Sequence, residues 1–453
     1  MHRLGLWVGD SFAEIRGKDF SRWFLPKKSL SEGIKEALRA IEDREVGGEL
    51  VFASSRTESA LERRQGSQPA LFVTSGFESW ARTARHSRRT GPVLSVERAW
   101  TPVPEDNVFG IDERISVDGK IEKPLKMEEL EFLVGKLELL KVKDVALGFR
   151  HSSANPEHER QAAAYLREKG FRVSASHEMP SVGKSEAKAW THASEAAYVE
   201  SVVREDVESI RSALDAEGAS SWKISAWTSR GLSNDPAAFT ASGLRGGTSR
   251  AIGGGLSGGK ESDRKTALIF GLEDFQIVDA STSVENAQSR TLAVQPTCQI
   301  ATELWPFPVW TAVDRGFEPG PMLFGKSHQL TFLDVLFVQG RLTTAIDAFS
   351  DRIQEKSAPR ILEALFTVGK HLAEPGRRIA DAKTIAADLE RAAIERIAID
   401  LAVHPAKTKI ALLGPLAPIL APLLAKRRPD LTFDVEAKTT FADLVLRSNG
   451  GPA

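Results

Sequence analysis

Three short apolar runs, LGLWV, FAEIRG and FSRWFL, open the chain and are separated by Gly-Asp and Gly-Lys-Asp. Apolar blocks punctuated by turn formers predict an antiparallel meander over residues 4 to 24. Behind Pro26 the period changes. From Ser29 to Ala40 the apolar positions recur at helical spacing behind a serine cap, and LVFAS then returns to a strand. SALERRQG predicts a helix closed by Gly66, and ALFVT the next strand. From Met127 the helices MEELEFLVGKLELL and PEHERQAAAYLREKG alternate with the strands DVALGF and FRVSA over short connections. Residues 191 to 215 read as one long helix, after which WKISAW starts a second strand-rich region.

That second region is centred on the Gly/Ser-rich stretch Ser242 to Ser262, followed by the extended runs TALIFGL and FQIVDAS. Residues 355 to 398 are strongly helical, and KIALLG, PILAPLLAKRR and LTFDVEA close the chain as a strand, a helix and a strand. A meander followed by strand–helix units thus recurs approximately, with no repeat of short period. The expected fold class is α/β, a two-lobed actin-like (ribonuclease-H-like) fold of mixed sheets flanked by helices. The expected lobes are residues 1–190 and 191–453. A length of 453 residues exceeds what one hydrophobic core usually supports, which favours two.

Composition narrows the functional classes. Sixty Lys and Arg balance 61 Asp and Glu, for a net charge of -1, so no overall field attracts nucleic acid or a membrane surface. The basic runs Arg82 to Arg89 and Lys426-Arg427-Arg428 read as solvated helix ends. A single cysteine, Cys298, excludes an intramolecular disulfide framework or a cysteine-cluster metal site and fits a reducing compartment. The N-terminus has no leader pattern, and no window holds about eighteen uninterrupted apolar residues. The expectation is a cytoplasmic protein with no membrane and no nucleic-acid partner.

Collinear segments resemble the hydantoinase A/5-oxoprolinase family over nearly the whole chain. ESALERRQG, ALFVTSGFESWARTAR, DERISVDGKIEKPL and GFRHSSANPEHER carry the first half; FTASGLRGGTSRA, EPGPMLFG, LTFLDVLFVQGRL and LLGPLAPILAPLLA carry the second. The resemblance implies a two-lobed ATP-binding fold whose relatives open hydantoins, 5-oxoproline and other lactams or energise ketone carboxylation, commonly beside a hydantoinase B partner. ATP with magnesium is the cofactor it implies, and hydantoinase A- or B-like subunits, or further copies of the chain, are the partners.

Phosphate loops of such a fold need glycines, so that backbone N–H groups approach the phosphates, and carboxylates to position magnesium. Where the family reads D-x-G-G-T-x-T-D, this chain has Trp7-Val8-Gly9-Asp10-Ser11-Phe12-Ala13-Glu14. Trp7 replaces the first aspartate and Asp10 the second glycine, leaving Gly9, Ser11 and Glu14. The second hairpin has become Gly271-Leu272-Glu273-Asp274-Phe275, and the His-Gly-Thr-Thr loop Val51-Phe52-Ala53-Ser54, with Glu58 in place of the following asparagine. Lost glycines and added acids both oppose phosphate binding. The expectation is a degenerate subunit with a structural or regulatory role. Its alternative is an active ATP-dependent hydrolase of cyclic amides, or a carboxylase component, using a divergent cradle. No catalytic residue is assigned from sequence.

Gly243, Gly246 and Gly247 either line an adenosine pocket or permit close helix-to-sheet packing, and packing is favoured. Asp334 aligns with the family's T-D-A aspartate and either caps a helix or faces the cleft between lobes. His151, His158, Glu157 and Glu159 lie close in sequence, yet Asn155-Pro156 is a helix-start signal. Capping and solvent exposure are therefore expected of His158 and Glu159, rather than metal ligation. His177, His192 and His328 are scattered, and no metal site is expected. Ser75-Gly76 lacks the G-x-S-x-G context of a nucleophile and reads as a cap.

Overall fold

The computed structural model describes residues 2–9, 12–24, 26–62, 64–79, 101–179, 185–257, 266–270, 275–279, 322–325, 330–342, 355–372, 381–403 and 409–447. Along the chain the strands are β1 (His2–Val8), β2 (Ala13–Arg16), β3 (Ser21–Phe24) and β4 (Gly48–Ser54), then β5 (Ala70–Thr74), β6 (Val108–Ile111), β7 (Arg114–Ile115), β8 (Ile121–Lys123), β9 (Asp144–Gly148) and β10 (Arg172–Ala175). They continue as β11 (Lys223–Thr228), β12 (Gly231–Ser233), β13 (Thr266–Phe270), β14 (Phe275–Asp279), β15 (Lys409–Leu413) and β16 (Thr432–Glu436). The chain forms two compact units that interleave along the sequence. The first comprises Met1–Ser55, Glu208–Pro236 and Gly246–Ala453, and the second Arg56–Val207 and Ala237–Arg245.

In the first unit a six-stranded sheet has the order β12-β11-β4-β1-β2-β3. The meander β1-β2-β3 is antiparallel, β4 is parallel to β1, and β11 is parallel to β4. This is the ribonuclease-H-like arrangement the opening pattern predicts. β1 reads as a nearly continuous apolar run because its last five residues are all buried, as expected of a strand covered on both faces. A second sheet of the same unit, β14-β13-β15-β16, repeats the order and polarity of β2-β1-β4-β11: an antiparallel pair, then two parallel neighbours. The recurrence in the sequence therefore corresponds to a repeated sheet topology.

Two helices, Gly247–Ser257 and Phe441–Arg447, pack on one another in this unit. Glycine permits the approach. A Cβ on Gly5 of β1 would lie 2.5 Å from the Ala442 carbonyl oxygen, and one on Gly255 would lie 2.7 Å from that of Leu444. The unit's main core joins Trp7, Phe12 and Trp23 to Phe441, Leu412, Leu413, Ile361, Leu365 and Ile394.

The second unit holds a four-stranded sheet, β10-β9-β5-β6, in which every neighbouring pair is parallel, together with the small β7–β8 ladder. Its core consists of Phe72, Val145, Leu147 and Phe149 from the sheet and its edge, with Leu130, Leu133, Val134, Leu137, Ala162 and Leu166 from the helices Met127–Leu139 and Glu157–Glu168. The lobe boundary expected at 190/191 falls inside the helix Glu186–Ala216. The physical reason is strand pairing. β11 returns to lie parallel to β4, so residues 56–207 form an insertion between the fourth and fifth strands of the six-stranded sheet, and β5 to β10 do not continue the opening meander.

Candidate functional site

The β1–β2 hairpin is closed by the Gly9 N–H donating to the Phe12 carbonyl at 2.8 Å. Trp7 and Glu14 are cross-strand partners beside this turn. The Trp7 ring is 1% exposed and stacks on Phe441, with centroids 4.3 Å apart and planes at 16°, while Trp23 meets it edge-on at 6.2 Å. Its Nε1–H donates to Ser55 Oγ at 3.1 Å, and Ser55 Oγ in turn donates to Thr248 Oγ1 at 3.2 Å. A Cβ on Gly9 would stand 2.5 Å from the same indole. The aromatic ring thus lies against the turn, where the family's pattern puts a carboxylate beside phosphates.

Glu14 is fully buried and its oxygens are taken up by the fold. Oε1 accepts from Thr440 Oγ1 at 2.5 Å and from Ser21 Oγ at 3.2 Å, and Oε2 accepts the Ala442 N–H at 3.1 Å. The carboxylate thereby ties β2 to the start of the helix Phe441–Arg447. Burial pushes its pKa from 4.5 up to about 7, against the opposing pull of these hydrogen bonds. Folding therefore takes up a proton between those values. The stability contributed by Glu14 is whole below about pH 4.5 and is lost as pH rises through about 7, a change on the order of 3 kcal/mol. Glu200, raised to about 7, and Asp334, raised to about 6, add slopes of the same sign. Glu14→Gln should accordingly flatten, without abolishing, the fall in urea midpoint between pH 5 and pH 8. Parallel profiles for the two proteins would contradict this.

The other sequence-derived positions are dispersed. Gly243 lies in the short helix Ala241–Leu244, its N–H held by Thr240 Oγ1 at 3.2 Å, and a Cβ there would sit 2.1 Å from the Ala238 carbonyl oxygen. It belongs to the second unit, whereas Gly246 and Gly247 belong to the first. Gly246 has φ +73°, which favours glycine, and a Cβ on Gly247 would be 2.0 Å from the Trp227 carbonyl oxygen of β11. Close backbone packing is enough to require Gly243 and Gly247, and the positive φ is enough to favour glycine at Gly246. Asp334 occupies the third position of the helix Phe332–Val338 and forms a reciprocal capping box with Thr331. Of its two expected roles, the cap is the one seen. Val51 and Ala53 of β4 pack with Trp227, Ala251 and Val445. Ser11, Asp10, Gly271 to Asp274, Cys298 and His328 lie outside the described residues.

One expectation is overturned. His158 and Glu159 begin a helix as predicted, but they are 2% and 0% exposed rather than solvated. The helix docks its first turn onto the carboxyl ends of β9 and β10, so both side chains point into the second unit. His158 Nδ1 meets Glu113 Oε2 at 2.6 Å, and Thr74 Oγ1 at the end of β5 donates to Glu113 Oε1. Glu159 accepts the Phe149 N–H at 2.8 Å, the Ser176 hydroxyl at 2.6 Å, and the His177 backbone N–H at 2.9 Å, and its Oε2 lies 2.7 Å from His177 Nδ1. Sequence reasoning missed Thr74 and Glu113. Glu113 stands 45 residues from its histidine, and no local pattern signals that pairing. Among the described residues no group of three or more His, Cys, Asp or Glu side chains is placed to hold a metal ion. None of their helices is long and apolar enough to cross a membrane.

Residues 17–170 match the family model of the hydantoinase/oxoprolinase N-terminal region. An uncharacterised protein of Methanocaldococcus jannaschii is 26% identical over 181 residues, an alignment spanning 37% of this chain and 26%, about a quarter, of that protein. Among solved structures, the ATP-dependent caprolactamase from Pseudomonas jessenii superposes with a TM-score of 0.62 at 18% identity, over 98% of this chain and 70% of that one. A nucleotide-free structure of acetone carboxylase, an enzyme of ATP-dependent acetone carboxylation, gives a TM-score of 0.66 at 14% identity with the same coverage of 98% and 70%. At such identities these two structures establish a shared fold.

Proposed function

Because the chain carries a hydantoinase/oxoprolinase N-terminal region and belongs to the hydantoinase A-like family, we propose that it is a subunit that keeps the family fold while its phosphate cradle is degenerate, serving as a structural or regulatory partner of hydantoinase A- or B-like subunits. The observation that carries this is Trp7. Where the family places a carboxylate for the magnesium hydrate, an indole is buried against Phe441 and Trp23 and touches the hairpin turn. The remaining acid of that hairpin, Glu14, has its oxygens committed to Thr440, Ser21 and Ala442. Asp10, Glu273 and Asp274 add negative charge to the segments that correspond to phosphate loops. ATP with magnesium does not fit these residues.

Calorimetric titration of the full chain with MgATP is expected to give no saturable heat. Binding in the micromolar range would instead favour an active ATP-dependent cyclic-amide hydrolase or carboxylase component like the two superposed enzymes. The partner role predicts co-purification with a hydantoinase A- or B-like subunit from the native host.

A further inference from the structure

The carboxyl edge of the parallel sheet in the second unit holds a cluster of polar groups that the proposed role does not use. β5 and β9 are neighbours in that sheet, but the next strand after β5 in the sheet is β6 on one side, and the next after β9 is β10 on the other. The chain leaves the two central strands in opposite directions, and the crevice outside such a switch point is where open parallel sheets bind ligands. The residues gathered there are chemically suited to it. Thr74 ends β5, and its hydroxyl accepts the Arg150 N–H at 2.8 Å while donating to Glu113. Glu113, wholly buried at its side chain, holds Nδ1 of His158 at 2.6 Å.

A carboxylate on Nδ1 sets the tautomer and the orientation of a histidine and leaves Nε2 as the working atom. Nε2 of His158 makes no hydrogen bond among the described residues, although the side chain is only 2% exposed. Nε2 is not among the sealed side-chain atoms left without a partner, so it is open to water or to a small ligand. Beside it, the three-residue step from Thr74 brings Phe77 under two guanidinium groups, Arg150 at 5.0 Å and Arg114 at 5.9 Å from the ring centroid. Arg150 is paired with Glu186 at 2.6 Å, while Arg114 makes no ion pair among the described residues. Stacking on an aromatic face leaves the N–H edge of a guanidinium free for a carboxylate.

We propose that this edge is a small-molecule site independent of the nucleotide cradle, taking a small carboxylate that carries a hydrogen-bond donor. Arg114 meets the carboxylate, and Nε2 of His158, positioned by Glu113, accepts from the ligand's hydroxyl or N–H. The site lies wholly within the second unit, so it stands whether or not the chain binds ATP.

The test uses the full chain with 13C-labelled histidine and three probes: glycolate, acetate and glycolamide. Glycolate, which has both groups, is expected to shift the His158 ring resonance saturably, and acetate and glycolamide are each expected to bind about tenfold more weakly. Arg114→Gln, a partly exposed substitution that leaves the urea midpoint unchanged, should weaken glycolate about tenfold. It should not alter the starting His158 resonance. Glu113→Gln should move that starting resonance by disturbing the tautomer. No response to any probe, or a glycolate response that survives Arg114→Gln intact, would overturn the proposal.

Discussion

Replacing Asp334 with alanine is expected to destabilise the first unit by about 3–5 kcal/mol, because four donors lose one acceptor group at once. Oδ2 accepts the Met322 N–H at 3.1 Å, the Thr331 N–H at 2.7 Å and the Thr331 hydroxyl at 2.9 Å, and Oδ1 accepts the Leu323 N–H at 2.8 Å. The carboxylate is fully buried, so water does not replace it cheaply. Asparagine should be milder, at about 1–3 kcal/mol. Its oxygen can keep the three donors at Oδ2 while its amide nitrogen opposes only the Leu323 N–H. Urea denaturation of the two variants checks the order, and an alanine variant within about 1 kcal/mol of the parent would refute it. Hydrogen exchange should place the loss at residues 322–325 and 331–338 rather than over the whole chain.

Asp206→Ala should cost the second unit a similar amount, about 3–5 kcal/mol, for a different reason. Arg56, which opens the helix Arg56–Glu62, forms an ion pair with Asp206 on the long helix Glu186–Ala216, and the two side chains are only 6% and 3% exposed. Removing the aspartate takes a buried charged partner from the guanidinium in a medium that solvates it poorly. Breaking such a pair is far more costly than replacing it, so the double change Arg56→Met with Asp206→Leu should recover most of the loss. Thermal unfolding of the single and double variants separates the cases. Equal destabilisation in both would show that the cost lies in packing rather than in the lost ion pair.

Which parts of the fold and site were legible in the sequence follows from the range of the interactions involved. The meander, the strand–helix alternation and the recurrence between the two halves were readable because they rest on local periodicity and turn chemistry. The cap at Asp334 was readable as one of two options because Thr331 lies three residues before it, within reach of a local pattern. The burial of His158 and Glu159 was not. A helix's first turn faces solvent or protein according to what it docks against, and the docking surface comes from β9, β10 and Glu113.

By itself the sequence determined the secondary structure of the opening meander, the family resemblance, and the presence of Trp7 where the family's pattern has an aspartate. Each of these is a property of residue identity and order. Tertiary structure alone decided that residues 56–207 are an insertion between β4 and β11, that the Trp7 indole packs against its own hairpin turn, that the Glu14 oxygens bond Thr440 and Ala442 at the start of the helix Phe441–Arg447, and that Thr74, Glu113 and His158 meet at one sheet edge. Apart from the Trp7–Gly9 contact within one hairpin, these side-chain contacts join residues from 39 to 428 positions apart. No local propensity encodes such partners; they are selected only when sheets close and helices dock.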